Sequence, residues 1–415
     1  MQGGSEVISR LSVDIDREAG MAQDFFVKML RIRAVNPRMG GPGEAERADF
    51  IQSFLRAEGF SVQRVDAPDT ASRSGTRPNL CARLEGRNSR KTLWFFVHMD
   101  TVPEGSLSLW NSDPFEPKID GGRIFARGAE DNGQSLVSCL FALRELRRLG
   151  EELPFNVGVW FVADEESGSN YGVRYVLEHS PVSSDDLIVV PDTGTAEGTD
   201  IKLAEKSLLW FKVVTRGRQV HASRPSRGKN AHRIGMRLAL ELDEGLHGIY
   251  SKRDDLFDEP LSTFEPTKVD QAVANVNTVP GIDTFYFDCR VLPKYSLSSV
   301  LADVEKIVRG FSEVNGVEAS FEVVQRDDAG APTQPGSEVA DLVRATVARM
   351  TGRKPRFVGT GLRTVGNIFR ERGIPTAVWS TVDNVPHEPN EYSRIESLIS
   401  DAKVFAAMPF VSHSS

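Results

Sequence analysis

The chain has 415 residues, of which 26% are charged and 40% are hydrophobic, and its formal net charge at pH 7 is −8. This length exceeds what one ordinary hydrophobic core accommodates, so it predicts two domains. The acidic balance argues against a nucleic-acid-binding protein, which normally presents a basic stripe, and the lack of any run of about 18 apolar residues argues against a membrane helix.

The N-terminal half alternates amphipathic helices with short apolar strands, which is typical of an α/β layer fold. Apolar residues at helical spacing predict helices, and short apolar runs bounded by turn residues predict strands. The predicted helices cover about 5–33, 44–58 and 135–149, and the predicted strands cover 60–65, 79–84, 93–98, 155–163 and 187–191. The pattern returns late in the chain, with helices at 337–351 and 364–372 and strands at 355–358 and 375–380.

A different pattern occupies the region between these two parts. The predicted elements are strand 208–215, helix 230–250, strands 272–278 and 284–291, helix 296–311 and strand 319–325. This β-α-β-β-α-β order is the ferredoxin-like arrangement. We therefore expect an inserted domain at 208–326, with 1–207 and 327–415 forming one discontinuous domain.

The cysteines and the N-terminal region indicate the compartment. Cys81, Cys139 and Cys289 are odd in number, far apart and without metal-ligand spacing. They suggest free thiols in a reducing environment. Acidic residues such as Glu6 and Asp14 stand where a signal peptide would have a basic region and an apolar core. These features predict a cytoplasmic protein.

Titratable side chains cluster at the ends of the predicted strands and at one helix start. Singly, each has an ordinary explanation, such as a buried core histidine, a helix N-cap or a surface turn. Ligands of open α/β sheets, however, bind beyond the carboxyl ends of the strands, where adjacent carboxylates repel unless a cation relieves them. The pattern therefore favours a cation site. The residues concerned are His98, Asp100, Asp131, Glu165, Glu166 and Asp192.

The motifs around these residues resemble, in order, those of the M20 metallopeptidase family. This group includes glutamate carboxypeptidase, succinyl-diaminopimelate desuccinylase, acetylornithine deacetylase and aminoacylase, and the resemblance spans about 90–392. The motifs are His98-Met-Asp100, Gly128-Ala-Glu-Asp131-Asn, Asp164-Glu165-Glu166-Ser-Gly, Pro191-Asp192 and His387-Glu-Pro-Asn-Glu391. The resemblance implies a zinc-peptidase-like α/β catalytic domain with a mixed, mostly parallel sheet between helices. It also implies an inserted α+β ferredoxin-like domain that serves as a dimerisation or lid domain.

By position, the resemblance implies two Zn²⁺ ions per subunit. His98 and Asp192 would hold one metal, Glu166 and His387 would hold the other, and Asp131 would bridge them. Independently, two imidazoles and three carboxylates suit Zn²⁺ and tolerate Co²⁺ or Mn²⁺. A bridged pair of such metals can activate water and polarise a carbonyl group.

The same resemblance implies the catalytic and substrate-binding residues. Glu165 would be the general base, and Asp100 would orient the ring of His98. His221, on the inserted domain, would reach the active site of a partner subunit and stabilise the oxyanion. Asn277 and Arg290 would hold the substrate carboxylate. Without the family, His221 could be a cap or surface-turn histidine, and Arg290 could form an ion pair with a neighbour.

One stretch departs from the family pattern. Many relatives carry a Gly-Gly-Thr-Asp-Ala-Arg-like run before the last motif, and here the corresponding stretch is 359–367. The Asp and Arg positions correspond to Val365 and Asn367. Gly361 and Arg363 are candidate substrate-binding residues in this loop. Arg363 either replaces the lost charge or is simply exposed.

The function that follows is hydrolysis of an amide bond next to a free carboxylate, by metal-activated water with a glutamate base. A carboxypeptidase or dipeptidase and an N-acyl-amino-acid deacylase, desuccinylase-like or deacetylase-like, both fit. The partners would be a small-molecule or peptide substrate and a second copy bound through 208–326. The alternative is a catalytically silent relative that binds carboxylated ligands.

Overall fold

The chain forms two compact units in the computed structural model, which describes residues 2–412. Unit 1 comprises Met1–Leu203, Thr333–Phe357 and Thr364–Ser415, and unit 2 comprises Ala204–Pro332 and Val358–Arg363. The sequence prediction assigned 358–363 to the first domain, but the structure places this segment in unit 2. The Gly359 amide donates to the Leu256 carbonyl at 2.6 Å, and Arg363 Nη2 lies 2.8 Å from Asp327 Oδ1.

Helices and strands alternate along most of the chain. The helices are α1 (Gln2–Arg17), α2 (Ala19–Leu30), α3 (Ala45–Ala57), α4 (Ser135–Leu149), α5 (Val173–His179), α6 (Ala231–Ile249), α7 (Leu297–Asn315), α8 (Glu338–Thr351), α9 (Gly366–Glu371) and α10 (Ile395–Ala407). The strands are β1 (Val62–Pro68), β2 (Thr76–Leu84), β3 (Asn88–His98), β4 (Lys118–Asp120), β5 (Arg123–Phe125), β6 (Phe155–Val162), β7 (Leu187–Val190), β8 (Asp200–Glu205), β9 (Ser207–Arg216), β10 (Val220–His221), β11 (Thr263–Val269), β12 (Thr278–Val279), β13 (Ile282–Val291), β14 (Glu318–Asp327), β15 (Arg356–Thr360), β16 (Thr376–Val378) and β17 (Tyr392–Arg394).

The main sheet has eight strands in the order β1-β2-β6-β3-β7-β16-β8-β15. The four central strands, β6, β3, β7 and β16, run parallel, whereas β1 pairs antiparallel with β2, β2 with β6, and β8 with β16. A mixed sheet between helices is the α/β fold that the sequence predicts, and this prediction is confirmed.

Both faces of the central strands are buried. On β3, Leu93 and Phe95 join a core with the long helices α1–α4, α8 and α10, while Trp94 and Phe96 join a second core with α5 and α9. Side chains alternate between faces along a strand, so a strand buried on both sides reads as a continuous apolar run. The run Leu93–Val97 is therefore the sequence signature of a central strand.

Unit 2 contains an antiparallel sheet with the order β11-β13-β9-β14, which packs on α6 and α7. This topology is the ferredoxin-like arrangement predicted from the element order. The predicted strand at 272–278 is wrong. The strand that pairs with β13 is β11, Thr263–Val269, whereas 270–277 is irregular and mostly exposed. The alternation in Ala-Val-Ala-Asn-Val-Asn resembled a strand but has no apolar partner to cover it.

Several short elements have no counterpart in the sequence prediction. β8 joins the main sheet next to β16, and β17, β5 and β4 form a small separate sheet. Between residues 2 and 412, the structure contains no helix that is both long and apolar enough to cross a membrane.

Asp401, on α10, gives a testable pH dependence of stability. Its Oδ2 accepts the Thr381 amide at 2.9 Å, whereas its Oδ1 has no hydrogen-bond partner among the described residues. Burial raises the pKa of this carboxyl from 3.8 to about 7. Because the folded state then holds the proton more tightly than the unfolded state, this group lowers stability as the pH rises from about 4 to 7.

The Asp401→Asn variant removes this titration. Between pH 5 and pH 8, we expect the free energy of unfolding of the variant to rise by about 2 to 3 kcal/mol relative to that of the wild type, because only the wild type loses stability as Asp401 ionises. Urea denaturation of both proteins at the two pH values measures the change. A constant difference between them at both pH values would show that Asp401 is ionised in the folded protein throughout.

Candidate metal centre

Four parallel strands of unit 1 end at the same edge of the main sheet. β3 ends at His98, β6 at Val162, β7 at Val190 and β16 at Val378. Ligand-type side chains follow these strand ends, as expected for the binding edge of an open α/β sheet. Asp131 comes from the segment just before α4. The side chains in the loops beyond the strands are Asp100, Glu165, Glu166, Asp192 and His387.

Asp131 lies between two groups of donor atoms. Its Oδ1 is 2.8 Å from His98 Nε2, and its Oδ2 is 3.2 Å from His387 Nε2. Asp192 Oδ1 joins the first group at 4.0 Å from His98 Nε2, and Glu166 Oε2 joins the second at 3.2 Å from His387 Nε2. Within each group the donor atoms lie within 4.8 Å of one another. Each group could therefore hold one cation, and the two groups share Asp131.

The electrostatics of the cluster suit divalent cations. Burial, together with the neighbouring Asp131 carboxylate, raises the pKa of Glu166 to about 7. Hydrogen bonds with Asp131 and Glu166 raise the pKa of His387 to about 10. Glu166 Oε1 is buried without a hydrogen-bond partner among the described residues. Crowded acids and an orphaned carboxylate oxygen are relieved by a cation, and this nitrogen and oxygen donor set fits Zn²⁺.

The carboxylate of Asp100 organises the turn after β6. Its Oδ1 accepts the backbone N–H of Glu165 at 2.9 Å, and its Oδ2 accepts that of Glu166 at 3.2 Å. His98 Nδ1 lies 3.0 Å from the backbone carbonyl oxygen of Asp100 but 3.5 Å from the carboxylate. The sequence prediction had the carboxylate orienting the ring. In the structure, the nearer acceptor of the ring is the main chain, and the carboxylate, which also lies beside the ring, holds the two glutamates.

Glu391 is a second buried carboxylate that organises the centre. It accepts the backbone N–H groups of Gly128, Glu130 and Asp131 at 2.9, 2.9 and 3.0 Å. Its charge is matched by Arg127, whose Nη1 lies 2.7 Å from Glu391 Oε2 with both side chains buried. The segment that carries the shared Asp131 is thus fixed by a residue from the far end of the chain.

Glu130 makes the reciprocal connection. Its two carboxylate oxygens accept the backbone N–H groups of Asp383 and Val385, both at 2.6 Å. These amides lie in the loop that leads to His387. The two segments therefore bind each other reciprocally. Glu130, next to Asp131, accepts backbone N–H groups of the loop that leads to His387, and Glu391, which follows His387, accepts backbone N–H groups of the Asp131 segment.

A buried polar cluster centred on Arg77 lies behind the Glu165 turn. Arg77 Nε donates to Glu44 Oε2 at 2.6 Å, and its Nη1 lies 3.3 Å from Asp164 Oδ1. Asn36 Nδ2 donates to Asp100 Oδ2 at 2.8 Å and to Asp164 Oδ1 at 3.2 Å. Asp164 has a φ of 62°, a left-handed conformation that costs a non-glycine residue roughly 1–2 kcal/mol. The cluster holds the backbone in the conformation that the turn needs.

The remaining sequence-predicted residues lie in unit 2, in two places. His221 pairs with Thr278 between β10 and β12, and the Ala222 amide donates to the Asn277 carbonyl at 2.8 Å, so His221 and Asn277 are neighbours. Both side chains are exposed. His221 Nδ1 lies 2.7 Å from Ser223 Oγ, which orients the ring.

Arg290 and residues 359–363, the part of the departing loop that belongs to unit 2, form the second place. Arg290 donates from Nε and Nη2 to the two oxygens of Asp288, at 2.8 and 3.1 Å, and from Nη1 to the Gly361 carbonyl at 3.0 Å. The ion pair with a neighbour, left open from the sequence, is therefore present. Arg363 is not the exposed side chain considered above, because it pairs with Asp327 and is 17% accessible.

A comparison with protein-family profiles matches residues 94–409 to the peptidase family M20/M25/M40. The chain belongs to this family. Among its relatives, an uncharacterized metallohydrolase from Methanococcus maripaludis is 36% identical over 399 residues, covering 91% of this chain and 95% of the relative. A succinyl-diaminopimelate desuccinylase from Gluconacetobacter diazotrophicus is 29% identical, covering 91% and 94%. The crystal structure of human carnosine dipeptidase 1 has the same fold, with a TM-score of 0.73, 18% identity and coverage of 97% and 98%.

This M20 chain is thus a metallohydrolase. Several of the buried residues that hold the backbone of its metal centre were not predicted from the sequence. Glu391 stands four residues after His387, so its place in the last motif was a usable signal. Arg77, Asn36 and Glu44 have no local pattern that marks them. Their importance comes from contacts across 33 to 128 positions of the chain, which spacing does not show.

Proposed function

We propose that the protein is a di-zinc amidohydrolase that cleaves an amide bond next to a free carboxylate. The observation that carries this proposal is Asp131, whose two oxygens each face a different histidine, so that one carboxylate serves two donor groups. His98 and Asp192 would hold one ion, and Glu166 and His387 the other. Co²⁺ or Mn²⁺ would be accepted by the same nitrogen and oxygen donors.

The chain's own residues supply the proton transfer. When bound, a pair of divalent cations lowers the pKa of water and polarises the scissile carbonyl. Glu165 takes the proton from the attacking water and delivers it to the departing amide nitrogen. Burial raises the pKa of Glu165 well above its usual range. A raised pKa suits a carboxylate that first accepts the proton of the water and then donates it to the leaving nitrogen. Asp100 fixes Glu165 by its backbone, so the carboxylate stays free for this role.

Unit 2 would supply substrate recognition. His221 would donate to the developing oxyanion from a partner subunit, which makes a homodimer through this unit part of the proposal. Asn277 and Arg290 would hold the substrate carboxylate, with Gly361 and Arg363 beside them. Since Asp288 and Gly361 already accept hydrogen bonds from the guanidinium group of Arg290, the substrate carboxylate would share this guanidinium group with them. The cytoplasmic location remains a prediction.

A catalytically silent relative is the competing proposal. Such a protein would bind carboxylated ligands without turnover. Its support is weak, because all five donor side chains and Glu165 are present and the donors converge. A silent protein has no need to keep both a base and a bridged donor set.

Metal removal followed by a substrate panel tests the proposal. After treatment with a chelator, we expect turnover of dipeptides and N-acyl amino acids to be lost and then restored by Zn²⁺ or Co²⁺. Each active substrate is compared with its counterpart in which the free carboxylate is capped as an amide. Since a charged hydrogen bond contributes about 1.5–3 kcal/mol, capping should lower kcat/KM roughly 10- to 150-fold. Tight binding without metal-dependent turnover would instead favour the silent relative.

A further inference from the structure

Positive charge is concentrated in one stretch of an otherwise acidic chain. Residues 206–240 contain nine lysines and arginines and no aspartate or glutamate, although the whole chain has 58 acids and a net charge of −8. The stretch covers β9, the loop with His221 and the first half of α6. Charge segregation of this extent is unusual on a surface, where opposite charges normally intersperse.

Most of these cations lack a neutralising partner. Lys212 pairs with Glu322 at 2.9 Å and Arg216 with Glu318 at 3.0 Å, both across the β9–β14 ladder. Lys206 is buried and donates to the Leu261 carbonyl. The other six are exposed and make no ion pair with any described residue. These unpaired residues are Arg218, Arg224, Arg227, Lys229, Arg233 and Arg237.

The loop that carries most of them is compact. Arg218 and Lys229 exchange two backbone hydrogen bonds of 2.8 and 3.0 Å, which close the loop at its base. Inside it, the Arg224 amide donates to the His221 carbonyl at 2.9 Å. The positive residues of this loop therefore lie on the same closed backbone segment as His221, the proposed oxyanion donor.

A small cavity continues the basic surface onto α6. It has a volume of about 230 Å³ and is lined by Lys229, Arg233 and Arg237, with Asn230 and Asn315 beside them and no carboxylate. Arg233 and Arg237 are one helical turn apart and project from the same side of α6. Like charges at this spacing destabilise a helix slightly, so a purely structural role does not account for them.

We infer that this surface recruits substrates that carry at least two negative charges. The inference rests on the proposed function, in which His221 contacts the substrate. One carboxylate of the substrate is then taken by the proposed carboxylate-binding residues, and a further anionic group, on the acyl part, is attracted by the basic surface. Unpaired guanidinium groups suit this role, because they bind carboxylates through two parallel hydrogen bonds.

A matched pair of substrates tests the inference. N-Succinyl and N-butyryl derivatives of the same amino acid present the same scissile amide and nearly the same chain, but only the succinyl group ends in a carboxylate. We expect kcat/KM for the succinyl compound to exceed that for the butyryl compound by about tenfold or more at low salt. Because screening shortens the reach of surface charges, the ratio should fall towards 1 in 0.5 M salt.

Charge variants identify the surface responsible. The Arg233→Gln/Arg237→Gln variant should lower the succinyl-to-butyryl ratio several-fold while leaving kcat/KM for the butyryl compound unchanged. The control is Arg87→Gln/Arg90→Gln, which removes two exposed arginines at the beginning of β3, the opposite end of that strand from His98. A ratio near 1 in the wild type, or a ratio that neither salt nor the variant changes, would overturn the inference.

Binding measurements distinguish failure of the proposed reaction from failure of the proposed recruitment. If neither compound is hydrolysed by the Zn²⁺-loaded protein, deacylation of these N-acyl amino acids is contradicted, but calorimetric titration with the same two compounds still compares their dissociation constants. Tighter, salt-sensitive binding of the succinyl compound that weakens in Arg233→Gln/Arg237→Gln would support recruitment. Equal dissociation constants would reject it.

Discussion

Replacement of Glu165 by glutamine is expected to lower kcat by about 10²- to 10⁴-fold while leaving the metal content unchanged. Glutamine has the same shape as glutamate but cannot accept the proton of the attacking water. The backbone of residue 165 would stay in place, because Asp100 binds its N–H and not its side chain. Steady-state kinetics and elemental analysis of the purified variant measure the two quantities.

The adjacent glutamate provides the matched control. Glu166 lies among the donors of the second group, 3.2 Å from His387, so Glu166→Gln should lose metal as well as activity. The two neighbouring substitutions are then separated by metal content, which a general loss of folding would not do. A Glu165→Gln variant whose kcat stays within tenfold of the wild type would contradict the role assigned to Glu165.

Glu391→Gln should destabilise the protein by about 3–5 kcal/mol, the usual cost of removing one partner of a buried ion pair. Arg127 would lose its counter-charge, and the new amide NH₂ would face backbone N–H groups that now donate to a carboxylate. The segment with Asp131 would loosen, so metal affinity should fall with stability. Urea denaturation and titration with Co²⁺, followed by its visible absorption, measure the two effects.

Glu388→Gln is the control for this substitution. It makes the same chemical change three residues earlier in the same loop, but at an exposed position. We expect it to match the wild type in stability and Co²⁺ affinity. If Glu391→Gln also matched the wild type, the backbone contacts of Glu391 would not be what holds the Asp131 segment.

The central strands and the residues at their ends could be predicted from the sequence, because both follow from patterns within short segments of the chain. A run such as Leu93–Val97 is buried on both faces, and parallel strands bring their carboxyl ends to one edge. The strand prediction at 272–278 failed because alternation alone does not show whether a segment has a partner. β11, the true partner of β13, contains Pro266, which weakened its strand signal.

The long-range contacts of the buried residues that hold the metal centre could not be predicted, for a different reason. Asn36 reaches Asp164 across 128 positions, and Glu391 reaches Asp131 across 260 positions. Contacts of this kind depend on tertiary structure, and a single sequence does not record them. The ion pair of Arg290 with Asp288 is the opposite case, since two residues on one face of a strand are neighbours by periodicity.

The strand order of the main sheet has a consequence for how the protein is made. β7 and β8 are consecutive in unit 1, yet β16 lies between them and is synthesised about 170 residues later. At roughly 5–20 residues per second, the ribosome needs about 10 to 35 s to deliver it. During this interval the nascent chain exposes an open edge of apolar β7, a surface that invites mispairing. The Asp131 segment is also held by Glu391, so the metal centre is completed only after Glu391 has been synthesised.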